Sequence, residues 1–361
     1  MYKKFFMGIA AMAALTLVSC SSDDLNSLSD NSSKNEAISF DGYLGRSAVA
    51  VNGSRGSELD KTALQESTEG FGVFGHYKEA DGKEFGSDLF NNQQVTYKTS
   101  AWTYSPLKFW PTQGHIDFLA YAPYDSKYND KVSKDNQKLD FTVNSVIKEQ
   151  KDLLWANNAV GQAKDNISST GKKVKFHFYH ALSRLGYTVK LYGNGDYSSN
   201  KATFTVNKIT LAGSPDGTSK NAFYKKGTID LAQANDASTL WDTSLSSTND
   251  DKQNFDLVSS DQLLGKDGIN SGKNYLFVIP QNFSGADELY VYVKYTINYT
   301  DGTSAVTNTV YKRLTTNFKQ GKAYMLNLTL GLPIEFDVDV VEGWGTEIGI
   351  PGDNGIDTWD R

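Results

Sequence analysis

The chain holds a single cysteine, Cys20, in 361 residues. One thiol cannot make an intrachain disulfide, so no part of the fold is explained by cross-links. Long apolar runs are missing too. The most apolar stretch, residues 5–18 behind Lys3 and Lys4, falls short of the about 20 residues that a membrane-spanning helix needs. Positive charge is scarce: 36 Lys and Arg face 42 Asp and Glu, for a formal charge of −6. That balance lacks the basic surplus of nucleic-acid-binding domains, so no nucleic-acid partner is expected. Catalytic signatures are absent as well. There is no P-loop, Gly-x-Ser-x-Gly elbow, His-Glu-x-x-His helix or cysteine pair. We expect no catalytic residue, no cofactor and no metal site. The acid-rich stretch 261–270 lacks the spacing of an EF-hand loop, although the 42 carboxylates leave a carboxylate-based hydrolase as an alternative that motifs do not address.

What is present begins at the N-terminus. Residues 1–19 have the layout of a secretory signal, with a charged start and a short apolar core. The run ends in Leu17-Val18-Ser19-Cys20, which resembles the bacterial lipobox, where the thiol is acylated and cysteine becomes the first residue. Lipidation, as by palmitate, gives Cys20 a use. Each buried acyl methylene contributes about 0.8 kcal/mol, and several chains on one residue hold a protein on a bilayer. Ser21-Ser22-Asp23-Asp24 resembles the signal that sends lipoproteins of Bacteroidota to the outer face of the outer membrane; a solvated acidic spacer is the alternative. Residues 20–36 form a lipidated polar tether, too poor in apolar side chains to offset ordering entropy.

From residue 37 the dominant pattern is period-two alternation of β-branched and aromatic residues, interrupted by Gly, Asn, Asp and Ser. Strands are expected over 37–43, 47–51, 70–77, 94–97, 115–121, 174–179, 186–192, 204–211, 275–279, 289–299, 304–311, 323–330 and 335–341. Thr300-Asp301-Gly302-Thr303 between two alternating runs is a hairpin signal. Only short stretches, such as 259–264, have any helical potential. The fold class is all-β, as sandwiches, and the size predicts two tandem domains, 37–182 and 183–361. Stretches 125–173 and 213–254, rich in Lys, Asp, Asn and Ser, read as surface excursions.

Trp102, Tyr104, Phe109, Trp110, Phe118 and Tyr121 lie in alternating runs and are expected in the core, where each ring buries about 150–250 Å². Pro111 and Pro123 are expected to end strands, because proline cannot donate to a ladder. His177 and His180 are three apart, on opposite faces of a strand, so they do not share a metal. His180 reads as a packed, hydrogen-bonded junction residue.

Trp102-Thr-Tyr-Ser-Pro-Leu-Lys-Phe-Trp110-Pro111, followed by His115-Ile-Asp-Phe-Leu-Ala-Tyr-Ala-Pro123, resembles a stretch of the fimbrillin family of Bacteroidales, the type V pilins and their accessory subunits. Asp152-Leu-Leu-Trp155-Ala156, Phe176-His-Phe-Tyr-His180-Ala-Leu-Ser-Arg184-Leu, and Phe318 to Leu330 with Val338-Asp-Val-Val-Glu-Gly-Trp344 follow in the family's order.

The resemblance implies two transthyretin-like β-sandwiches in a structural, adhesive surface protein of the outer membrane and fimbrium. It also implies that a trypsin-like, Arg-specific protease removes the first strand, leaving a groove that accepts a strand from another fimbrial subunit. Such a head-to-tail contact grows filaments. Arg46 is the preferred cut site, because the strand-like run before it would be released whole, and Arg55 is the second. That neither is cut remains open. The alternating run carrying Ile334, Phe336, Val338 and Val340 is the candidate donor, or else the last strand of its own sandwich. The Gly- and Asp-rich stretch 345–361 fits a filament cap as well as a stalk subunit. The alternative function is a monomeric, lipid-anchored module that binds glycans or another ligand.

Overall fold

A computed structural model of the chain describes residues 36–43, 59–79, 84–165, 173–192, 201–233, 241–244, 251–285, 287–331 and 336–342. Expected strand 47–51 lies outside them. The architecture is all-β, as the alternation predicts.

The N-terminal half begins with β1 (Phe40–Tyr43) and a helix, α1 (Lys61–Glu66). That helix was not expected from the sequence. It starts at Asp60, whose carboxylate accepts from Ala63 N at 2.7 Å, a side-chain cap of one of the free N-terminal amides. Strands β2 (Phe71–Lys78), β3 (Glu84–Lys98), β4 (Ala101–Thr103), β5 (His115–Ala122), β6 (Lys138–Thr142), β7 (Leu154–Gln162), β8 (Val174–His177) and β9 (Tyr179–His180) follow. Six of them form one sheet in the order β4-β3-β2-β5-β7-β9, while β1 pairs in parallel with β8.

Both faces of that sheet are buried, and the alternation sorts its side chains between two cores. Ile116, Phe118 and Ala120 of β5 and Leu154 and Ala156 of β7 join Phe71, Val73 and Val95 in one cluster drawn from residues 38–178. Their strand neighbours Leu119, Tyr121 and Trp155 point the other way. They enter a second cluster that continues through residues 181–330.

The C-terminal half contains β10 (Ser183–Leu191), β11 (Ala202–Ala212), β12 (Phe223–Tyr224), β13 (Lys226–Asp230), β14 (Trp241–Asp242), β15 (Lys252–Gln253), β16 (Phe255–Val258), β17 (Gln262–Leu264), β18 (Ile269–Asn270) and β19 (Leu276–Val278). It continues with β20 (Gln281–Asn282), β21 (Tyr290–Tyr299), β22 (Val306–Arg313), β23 (Asn317–Phe318), β24 (Ala323–Leu330) and β25 (Phe336–Glu342). One sheet runs β18-β10-β24-β25 with β19 also on β10; a second runs β16-β11-β21-β22 with β17 also on β11. The expected hairpin is β21–β22, paired from Tyr290↔Arg313 to Ile297↔Val306. Its turn places Gly302 at φ +86° and lets Asp301 accept from Thr303 N at 2.9 Å.

Four expectations are corrected. Stretches 125–173 and 213–254 are more than surface excursions, because they contain β6, β7 and β13, and β6 pairs with β13 across 88 residues at Thr228↔Asp140. In β6 the charged residues of Lys-Leu-Asp-Phe-Thr are the outward positions, while Leu139 and Phe141 are buried. Residues 262–264 form a strand on β11, with Leu263 exposed and Leu264 buried, a period of two rather than a helical one. Phe109 is 47% exposed rather than core. Lys108 O accepts from Ile38 N, and Trp110 N donates to Glu36 O, so Trp110 turns inward and Phe109 outward. Pro111 therefore follows this short ladder and closes no extended strand; Pro123 directly follows β5, as expected.

Candidate functional site: the groove that holds the first strand

Residues 36–43 lie in a channel between 108–110 on one side and β8 on the other. Ile38 N donates to Lys108 O at 2.8 Å, Trp110 N to Glu36 O at 3.0 Å, and Val174 N to Ser39 O at 2.9 Å. The register with β8 runs Phe40↔Val174, Asp41↔Lys175, Gly42↔Phe176 and Tyr43↔His177. Burial alternates strictly: Ile38, Phe40 and Gly42 are buried, while Ala37, Ser39 and Asp41 are half-buried.

Phe40 is the chief anchor. Its ring lies 5.4 Å from Phe90, 5.4 Å from Tyr104, 5.6 Å from Phe118 and 5.6 Å from Phe176, mostly edge-to-face or tilted arrangements that aromatic quadrupoles favour. Gly42 is the narrow point. A Cβ there would sit 3.2 Å from the Trp102 ring and 3.3 Å from Phe71, so those rings occupy the space a side chain would need. Tyr104 closes the wall. Its hydroxyl donates to Ile38 O at 2.7 Å, and burial pushes its pKa above the ordinary tyrosine value, opposed by a hydrogen bond at Lys108.

The chain is fastened again just past residues 44–58. Asp152, fully buried, accepts from Leu59 N at 3.0 Å and meets His180 Nδ1 at 2.9 Å. His180 is thus packed and hydrogen-bonded, as the sequence predicts. His177 stacks on Tyr179 at 4.6 Å. Residues 36–43 and 59–79 therefore have separate attachments to the N-terminal core.

Of the sequence-predicted site residues, Cys20, Arg46, Arg55 and Ile334 lie outside the described residues. Phe336, Val338 and Val340 lie on β25, opposite Leu330, Leu328 and Leu326 of β24. In this structure β25 is the edge strand of the C-terminal sheet. The carrier residues of the groove, Phe40, Gly42 and Tyr104, were not singled out for that role by sequence; the alternation at 38, 40 and 42 was the available signal. Among the described residues no group of three or more His, Cys, Asp or Glu is placed to hold a metal, and no helix is long and apolar enough to cross a membrane.

The model of the fimbrillin-like family matches residues 59–344. This chain belongs to the fimbrillin-like family, a family of fimbrial and cell-adhesion proteins. Among solved structures it is similar to a fimbrial protein from Bacteroides vulgatus, with 22% identity and a TM-score of 0.62 over 86% of this chain and 99% of that one. A tip fimbrial protein from Porphyromonas gingivalis, truncated at its C-terminus, aligns at 8% identity and a TM-score of 0.37 over 80% of this chain and 96% of that one. No curated protein sequence matches significantly.

Proposed function

We propose that this chain is a fimbrial subunit or tip protein that reaches the outer membrane as a lipoprotein acylated on Cys20 and assembles by strand exchange. An Arg-specific, trypsin-like protease cuts after Arg46, or after Arg55. Residues 36–43 then leave, and the emptied groove accepts a strand from another subunit, with β25 as the donor. The role is structural and adhesive rather than catalytic. The two domains are those of residues 37–182 and 183–361, and the groove belongs to the first.

The observation that carries this reading is the position of the first strand. It precedes Arg46, Ile38 and Phe40 are the large apolar side chains it buries among those described, and its removal leaves the next fastening, Leu59 on Asp152, untouched. Burying two such side chains contributes about 3–6 kcal/mol. Its backbone bonds add about 1 kcal/mol each, against about 1.5 kcal/mol per residue of ordering. A strand so held stays while tethered and leaves once cut. Limited trypsin treatment of residues 21–361, followed by intact mass and sizing without boiling, tests this. A cut after Arg46 or Arg55 with detergent-resistant oligomers is expected; survival of both arginines in the assembled protein would refute it.

A further inference from the structure

A second feature lies beside the first-strand groove and shares Tyr104 with it. It is an open groove of about 910 Å³ between the turn after α1, the middle of β3, β4 and the loop after β5. Its wall includes Asn91-Asn92-Gln93-Gln94, an amide run inside a strand, where sheet propensity favours β-branched residues instead. The β2–β3 register breaks at that point, between Val73↔Gln93 and Gly75↔Phe90. Asn92 is left-handed there, at φ +50°. A bulge of this kind re-aims side chains. Asp130, across the groove, is also left-handed at φ +60°, and such strain gathers at functional sites. Asn92 itself is fully engaged, with Asp125 O, Asn129 and the Tyr121 hydroxyl, so it braces the wall.

The other groups are left with capacity toward the groove. Gln93 donates to Gln94 O and Ser105 O at 3.2 Å, and Gln94 to Glu69 O at 2.9 Å. No hydrogen bond among the described residues engages either Oε1. The hydroxyls of half-buried Tyr97 and Tyr124 also have no partner there, and Tyr97 is braced edge-on against Trp102 at 5.1 Å. Charge is nearly balanced, with Glu66, Asp130 and Lys98, and the Asp130 carboxylate accepts from the Asn91 amide nitrogen.

We propose that this groove binds a neutral oligosaccharide. Fixed amide oxygens accept sugar hydroxyls, free phenol hydroxyls donate or accept, and rings that are apolar on the face and polar at the tip suit pyranose faces. The absence of a cation surplus disfavours acidic glycans. The proposal needs no cleavage, so it is tested on the uncut chain and its failure would not bear on strand exchange.

The probes are maltoheptaose, xylohexaose, mannohexaose and lacto-N-tetraose, with polygalacturonate as the acidic comparison, titrated calorimetrically into residues 21–361. At least one neutral probe is expected to bind. Tyr97→Phe with Tyr124→Phe removes two hydroxyls that hold nothing in the fold, so the melting temperature should not move while affinity falls about tenfold or more, as loss of one to two hydrogen bonds implies. Lys220→Ala, at a separate cavity, should change nothing. Binding by none of the neutral probes, preference for polygalacturonate, or full affinity in the double variant would each overturn the proposal.

Discussion

Phe40→Ala isolates what holds the first strand. The ring is 2% exposed and meets four other rings within 5.6 Å. Truncating a buried phenylalanine removes its transfer energy and leaves a cavity, together about 3–5 kcal/mol. Gly42 contributes no side chain, so among the described side chains of the strand Ile38 would be the remaining buried apolar anchor. Because Leu59 is separately held by Asp152, the loss should appear as local opening of residues 36–43 and not as global unfolding. Amide hydrogen exchange reads this directly at Ile38, whose N–H donates to Lys108 O at 2.8 Å. At about 1.4 kcal/mol per tenfold, its exchange should quicken by two or more orders of magnitude, while amides of the β21–β22 ladder keep their rates. An Ile38 rate within about threefold of the native one would refute Phe40 as the anchor. Equal acceleration in β21 would refute the local character of the opening.

Gly42→Val should lower the melting temperature of the N-terminal half by crowding Trp102 and Phe71, at about 1–3 kcal/mol, and the same variant should lose its first strand faster after trypsin, measured as released peptide. Asp117→Asn tests acid sensitivity. Burial raises the Asp117 pKa, but Lys78 at 2.8 Å, the Gly161 amide at 2.7 Å and the His115 charge together hold it below the ordinary carboxylate value. A depressed folded-state pKa contributes stability that is complete above the unfolded value, about 4, and is lost as pH falls through the folded value. Thermal melts of the native chain should therefore steepen their decline below about pH 4, and the Asn variant should show a lower, flatter acid limb; identical limbs would remove Asp117 from the account.

The sequence carried the class and the strands whose alternation is local. Hairpin β21–β22 was legible because Asp301-Gly302 fixes the turn, and β5 because His-Ile-Asp-Phe-Leu-Ala-Tyr-Ala ends at Pro123. It did not disclose that β5 and β7 are buried on both faces. Alternation separates Phe118 from Leu119 but does not say that the second face meets residues 181–330. β6 and β13 were missed for a related reason: five-residue strands with charged outward positions look like polar loops until their distant partner is known. Phe109 was assigned to the core because it sits among aromatics, and only the 36–38 ladder on 108–110 reveals which way it turns. The groove was half visible, in the spacing of Ile38, Phe40 and Gly42; its walls come from five separate segments, β2, β3, 102–110, β5 and β8.

The central claim is that the place of residues 36–43 is taken by a strand of another copy. Chains carrying Cys20→Ser with Val174→Cys, opposite Phe40 in the groove, are mixed with chains carrying Cys20→Ser with Val338→Cys, then cut with trypsin and oxidised. The account predicts a disulfide-linked heterodimer that forms after the cut and is absent from the uncut mixture. Equal cross-linking without cleavage, or none with it, would contradict strand exchange through this groove.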